Sequence, residues 1–202
     1  MREATYVLDA LLDNATDLTI LEHTTDTAGY TDWGFALFDF LGMQFCPRLR
    51  DIGDRQLSKL TTDTTIYPQL DARRIGRTDL SRLIARWDAL ARGAGALKRG
   101  YVTAALLVSR LPAYPRQGQL TKLLQAYGRF VKTIGILRDL EDEALRPRVH
   151  AQRNKGETLH DLRKFLFFAH AGVVRQKYEE GQANQAGWLN LLTNAVVVWN
   201  TV

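Results

Sequence analysis

The chain has 202 residues, 46% of them hydrophobic and 24% charged, with a formal net charge of +5. That is one domain, or one domain carrying a large insertion, with enough apolar content for a sizeable core. The single cysteine, Cys46, excludes a disulfide framework and a cysteine-based zinc site, and fits a reducing compartment. No apolar run reaches transmembrane length and Met1-Arg-Glu-Ala is not a signal peptide, so a soluble, cytoplasmic protein with no membrane partner is expected.

The first element is a helix over residues 3–12, with Ala4, Val7, Leu8, Leu11 and Leu12 at helical spacing. A strand is predicted over Asp17–Glu22, after the Asp13-Asn14 turn signal. The loop His23–Asp32 follows, and then a helix over Trp33–Leu41 with Thr31 or Asp32 as N-cap and Gly42 just past its end. A second strand is predicted over Met43–Cys46, ending at Pro47. Two strands do not make a stable α/β sheet by themselves, so further strands are expected from elsewhere. Asp26 falls where a strand gives way to a loop that opens a helix, the place where ligands gather in open α/β sheets. An Asp followed by Thr-Ala-Gly is also good turn chemistry, its side chain bonding nearby backbone N–H groups.

From residue 79 the pattern is helical throughout. Asp79 opens a helix to Lys98 with Leu80, Leu83, Ile84, Trp87 and Leu90 inward. Tyr101–Leu111 is a second helix, stopped by Pro112, Pro115 and Gly118. Gln119–Leu140 carries the clearest stripe: Leu120, Leu123, Leu124, Tyr127, Val131, Ile134 and Leu137. A short helix broken near Pro147 is predicted over 142–153. Asn154 then reads as the N-cap of a helix to Lys177, with Glu157 closing a capping box. Trp188–Trp199 is a last apolar helix, stopping at Val202 without a cap, as though cut. His23, His150, His160 and His170 show no metal-ligand spacing and read as structural or exposed.

Charge divides the chain. Residues 1–72 carry a net −7 and residues 73–202 a net +12. Within 73–99, six arginines from Arg73 to Arg92, with Lys98 and Arg99, face only Asp79 and Asp88. This asymmetry suggests an acidic part beside a part that meets a polyanion; arginines on solvated helix faces would look the same. Arg82 and Arg86 in this stretch, with Arg48, Arg50 and Lys155, are the candidate DNA contacts, expected to bind duplex weakly and without regard to sequence.

Several stretches, taken together and in order, resemble the catalytic portion of the DDE transposases of replicative, cointegrate-forming transposons, the Tn-three family. They are Arg2-Glu-Ala-Thr-Tyr-Val-Leu-Asp-Ala-Leu-Leu12, Glu22-His-Thr-Thr-Asp-Thr-Ala-Gly-Tyr-Thr-Asp32, Phe45-Cys-Pro-Arg-Leu-Arg-Asp51, Tyr114-Pro-Arg-Gln117, Asn154-Lys-Gly-Glu157 and Trp199-Asn-Thr-Val202. The resemblance implies that Asp26 is the second catalytic carboxylate and Glu157 the third, both metal ligands. It implies an α/β fold overall: an incomplete, RNase H-like core of two strands with flanking helices, plus a large, mainly helical insertion, so that the chain is predominantly α. The corresponding division is 1–52 for the partial core, 53–149 for the basic insertion and 150–202 for the C-terminal helices carrying Glu157.

The family's first catalytic Asp belongs to an earlier strand, and none of Asp9, Asp13 or Asp17 occupies its position. A truncated transposase, inactive alone, is therefore expected. In the intact family site two Mg²⁺ ions, roughly 3.5–4 Å apart, serve strand cleavage and joining at phosphorus; here one weakly held ion or none is expected. The carboxylates of Asp26 and Glu157 should then converge within roughly 8 Å, as two ions at that spacing require. The partners implied are double-stranded DNA, as transposon ends and target, and a second copy or an intact transposase. Two other readings stay open: a DNA-binding module without chemistry, and a helical module that associates with transposase.

Overall fold

The computed structural model describes residues 2–49, 51, 55–60, 75–110, 118–167 and 179–201. Arg50, Arg73, Arg74, the Pro112–Pro115 stop, His170 and the expected helix end at Lys177 lie outside them. The chain divides into two compact units, residues 1–149 and 150–202.

In the first unit, α1 (Arg2–Leu12) leads to β1 (Glu22–Thr25), α2 (Asp32–Phe40) and β2 (Gln44–Pro47). β1 and β2 pair in parallel, with His23 opposite Phe45 and Thr25 opposite Pro47, so α2 is the crossover of a βαβ unit. Trp33 to Phe38 are all buried. A helix apolar on every side must be covered on every side, and α2 packs against α1, β2 and two later helices. Thr31 caps it, its hydroxyl accepting from the Gly34 N–H at 3.1 Å. Gly42 ends it at φ +78°, a left-handed position that glycine takes without strain.

The strands β3 (Leu57–Leu60) and β4 (Ile75–Thr78) form a second parallel pair. After them come α3 (Leu80–Ala85), α4 (Trp87–Lys98), α5 (Ala104–Arg110), α6 (Gly118–Glu141) and the start of α7 (Leu145–Leu166). The longest of these, α6, is the principal partner of α2 and also packs on β3. Its approach is close because of two glycines. A Cβ on Gly128 would stand 1.9 Å from the Asp32 carbonyl oxygen, and one on Gly135 would stand 2.9 Å from the Phe35 ring. On the other side, Thr133 accepts a hydrogen bond from the Ser58 N–H at 2.9 Å, and Ser58 and Thr78 share one at 2.6 Å between β3 and β4.

Asp9, on α1, is spent on the fold. Its carboxylate accepts from the N–H groups of Ala104 and Ala105 at 2.5 and 3.1 Å, while the Thr103 hydroxyl accepts from Leu106. Three of the four unpaired N–H groups that open α5 are thereby satisfied, two of them by a carboxylate 95 and 96 residues away in sequence.

The second unit contains the rest of α7 and α8 (Glu179–Thr201). Among its described residues only Thr193 is buried, its hydroxyl donating to the Leu189 carbonyl at 2.6 Å.

Several expectations are corrected. The first strand is Glu22–Thr25 rather than Asp17–Glu22: Leu18 and Leu21 are exposed, and Asn14 and Thr16 bond the local backbone into a turn. The β3–β4 pair, short and interrupted by charge and glycine, is not among the expected strands, so the described residues form four strands in two pairs rather than two. The helix expected over 79–98 breaks at Arg86, and Trp87 packs at 5.6 Å from both Phe40 and Tyr127, tertiary contacts that local periodicity does not record. The α6 stripe holds through Val131 and then turns, burying Thr133 and Ile136 and exposing Ile134 and Leu137, because the second half of the helix faces β3 and Phe35.

The break near Pro147 and the cap at Asn154 are also overturned. α7 begins at Leu145, where the Asp142 carboxylate accepts from the Ala144 N–H at 2.9 Å. Pro147 sits in the first turn, where its missing N–H costs nothing, so the helix continues. Asn154 lies mid-helix and Glu157 does not close a capping box.

Candidate functional site

Asp26 follows the last residue of β1, at the carboxyl end of the parallel pair, and is exposed. A 3₁₀ turn over Thr27–Gly29 follows, with the Gly29 N–H donating to the Asp26 carbonyl at 3.3 Å. This turn folds tightly back on the strand: a Cβ at Gly29 would lie 2.4 Å from the Thr25 methyl carbon. A side chain there would force the Thr25 side chain to shift.

Beyond the turn, side chains from distant segments fix the loop. The Asp32 carboxylate pairs with the Lys132 ammonium of α6 at 2.5 Å, both mostly buried. The Tyr30 ring lies 4.5 Å from the Arg55 guanidinium and 5.4 Å from the Lys132 ammonium, and meets Phe35 edge-on at 5.5 Å. Burial pushes the Tyr30 phenol up to about 12; nearby Arg55 opposes this and Asp32 reinforces it. The loop that begins at Asp26 is therefore tied at its far end to α6, Arg55 and Phe35.

His23, three residues before Asp26, is structural. Its ring stacks on Phe38 at 5.0 Å and on Phe45 at 6.1 Å, and burial lowers its pKa below the usual 6.5. Cys46, on β2, is a buried free thiol whose pKa is raised chiefly by burial.

Glu157 lies in the second unit, exposed on α7, 3.7 Å from the Arg153 guanidinium one turn earlier. An exposed pair of this kind contributes a few tenths of a kcal/mol at most. Lys155 is exposed on the same helix, and a Cβ on Gly156 would meet nothing within 4 Å.

The basic candidates are distributed differently from expectation. Arg48 is half-buried, and its N–H donates to the Thr25 carbonyl at 2.8 Å, which places it beside the end of β1. Arg82 and Arg86 line a cleft of about 730 Å³ between α3 and α6, together with Arg77, Lys122 and Arg129. A second cavity of about 210 Å³ between β3–β4 and α6 shares Arg77 and Arg129 and adds Lys132. Arg77 belongs to the basic stretch expected to meet DNA, whereas Lys122, Arg129 and Lys132 were not among the expected contacts. The α6 members did carry a signal, since positions 122, 129 and 132 fall on one helical stripe.

Carboxylate oxygens suit a hard divalent cation. Among the described residues, however, no group of three or more acidic, histidine or cysteine side chains could hold a metal. Asp26 and Glu157 fit such an ion in donor chemistry and fall short in number. No helix among the described residues is long and apolar enough to cross a membrane.

The family model of the Tn3 transposase DDE domain matches residues 1–202. The chain is 44% identical over 202 residues to the transposase of transposon Tn501 from Pseudomonas aeruginosa, with all of this chain and 20% of that protein aligned. It is 39% identical over 202 residues to the transposase of transposon gamma-delta from Escherichia coli K12 and 39% over 201 to that of Tn1546 from Enterococcus faecium, again covering 20% of each. The chain thus spans about a fifth of the length of the curated relatives it matches. It belongs to the Tn3 transposase DDE family.

Proposed function

We propose that this chain is part of the catalytic domain of a Tn3-family DDE transposase, an RNase H-like domain that acts on DNA in transposition and is inert alone. The observation that carries the reading is the loop at Asp26: an exposed carboxylate at the end of a parallel strand, followed by a turn that α6 clamps through Lys132. Preorganisation of this kind is what a group acting on a phosphodiester requires. Asp26 and Glu157 are two of the three carboxylates of the family site, brought together when the domain is whole, and Mg²⁺ is the cation their oxygens suit. Bound there, the cation would neutralise charge developing at phosphorus. The residues of this chain hold and orient: Asp26 presents its carboxylate, the clamped loop limits its motion, and the basic side chains Arg48, Arg50, Arg82, Arg86 and Lys155 meet backbone phosphates.

Two measurements test this. In the whole domain, Fe²⁺ in place of Mg²⁺, with ascorbate and peroxide, should cut the backbone both near Asp26 and near Glu157, and Asp26→Asn should abolish both cuts. Cutting at one segment alone would overturn the shared site. A strand-transfer assay with transposon-end DNA and Mg²⁺ should yield no product from this chain, because two carboxylates cannot hold an ion pair. Product that vanishes in Asp26→Ala and Glu157→Ala would show that the site is complete without a third.

A further inference from the structure

We infer that the two cavities sharing Arg77 and Arg129 are one trough, which grips consecutive phosphates of a single DNA strand and leads that strand to the Asp26 loop. This rests on the DNA-acting function proposed above and adds the track, its polarity of charge and its end point. Lys122, Arg129 and Lys132 stand on one face of α6. Ten residues at 1.5 Å rise place the ends of that stripe about 15 Å apart. Arg77 on β4, Arg82 on α3 and Arg86 at the end of α3 form the other wall.

Six cations thus face one acid, Asp79, and that acid is already engaged. Its carboxylate caps α3, accepting from the Arg82 N–H at 3.2 Å and the Ser81 hydroxyl at 2.5 Å. Among the described residues, Arg77, Arg86, Lys122 and Arg129 pair with no carboxylate. Like charges confined to one cleft repel unless an anion enters, so the walls select a polyanion.

Size and lining narrow its form. About 730 Å³ is the volume of a small-molecule site, too small to enclose a duplex and large enough for one strand's backbone. Among the described residues no aromatic side chain lines either cavity, so the grip falls on phosphates, without sequence preference. Among the described residues four lining cations, Arg77, Arg86, Lys122 and Arg129, have no carboxylate partner, so the trough meets about four phosphates. The end point is Lys132, whose ammonium also holds Asp32, six residues beyond Asp26 in the same clamped loop.

The test uses the full chain and a fluorescent single-stranded oligonucleotide, with affinity read by anisotropy across salt. Four neutralised phosphates predict a log–log slope near −2.8, and the double variant Arg77→Gln/Arg129→Gln should reduce its magnitude by about 1.4. Arg92→Gln, exposed on α4 and outside both cavities, should leave it unchanged. If circular dichroism shows the double variant unfolded, Lys122→Gln replaces it, with an expected reduction of about 0.7. Affinity should rise with oligonucleotide length to about four phosphates, and inorganic phosphate should compete only at far higher concentration. Wild-type binding with an unchanged slope in these variants would overturn the trough while leaving DNA as the partner. Equal competition by free phosphate would reduce it to an isolated anion pocket. Absence of binding to any DNA would overturn the function proposed above.

Discussion

Two apolar helices, α2 and α8, have opposite fates. α2 is nine residues long and buries six in succession, Trp33 through Phe38. α8 is 23 residues long, and its Trp188, Leu191, Val198 and Trp199 are 72%, 61%, 58% and 85% exposed. Composition made both helices; what differs is the partner. α2 lies in a crossover between paired strands and meets α6 at two glycines, whereas the described part of the second unit buries no hydrophobic side chain. Helical periodicity predicts which face is apolar, but burial needs a surface of matching shape.

The difference yields its largest test at Phe38, wholly buried and stacked 4.7 Å from Phe45. Phe38→Ala should cost about 3–5 kcal/mol, through lost transfer energy and the cavity left behind. Trp199→Ala should change stability by no more than about 0.5 kcal/mol. Urea unfolding of the chain reads both, and comparable costs would erase the contrast between the helices.

Gly128→Ala comes next. A methyl group 1.9 Å from a backbone oxygen has no rotamer to escape through, so α6 must move off α2 at a cost of about 3 kcal/mol. A smaller effect belongs to Asp9→Ala, which removes the carboxylate from the start of α5 and should cost about 1–2 kcal/mol. Both are read as shifts in urea midpoint at constant slope. In the second unit the sign reverses: Gly156→Ala, with open space around it inside α7, should stabilise that helix by roughly 0.5–1 kcal/mol. Helical circular dichroism on heating measures it, and destabilisation would mean that Gly156 meets a neighbour.

The same contrast governs what could be read in advance. The Thr31 cap, the Gly42 stop and the position of Asp26 after a strand were legible because each depends on residues within one turn of it. The clamp on the Asp26 loop was not, because Lys132 lies 100 residues from Asp32 and no local signal joins them. β3 and β4 escaped for a related reason. Their sequences, Leu-Ser-Lys-Leu and Ile-Gly-Arg-Thr, lack a strand-like alternation and are held instead by hydroxyl bonds between Ser58, Thr78 and Thr133. Asn154-Lys-Gly-Glu157 gave a misleading signal: a capping box has the same letters as a stretch of mid-helix surface.

The smallest expected effect concerns pH and bears on the first unit alone. His23 is half-buried between Phe38 and Phe45, and burial disfavours its charged form, so its folded pKa lies below the ordinary 6.5. In the unfolded chain the imidazole takes a proton near 6.5, while in the folded state it resists. The stability it contributes is therefore fully present above pH 6.5 and is lost as the pH falls from there toward the folded value. His23→Phe keeps an aromatic ring in the stack and removes the proton. Urea midpoints of wild type should fall between pH 7 and pH 5 by more than those of the variant, with the two curves converging above pH 7 apart from a constant offset. Parallel profiles for wild type and His23→Phe would mean that the imidazole is protonated as easily in the fold as outside it, and that the stack beside the Asp26 loop is open to water.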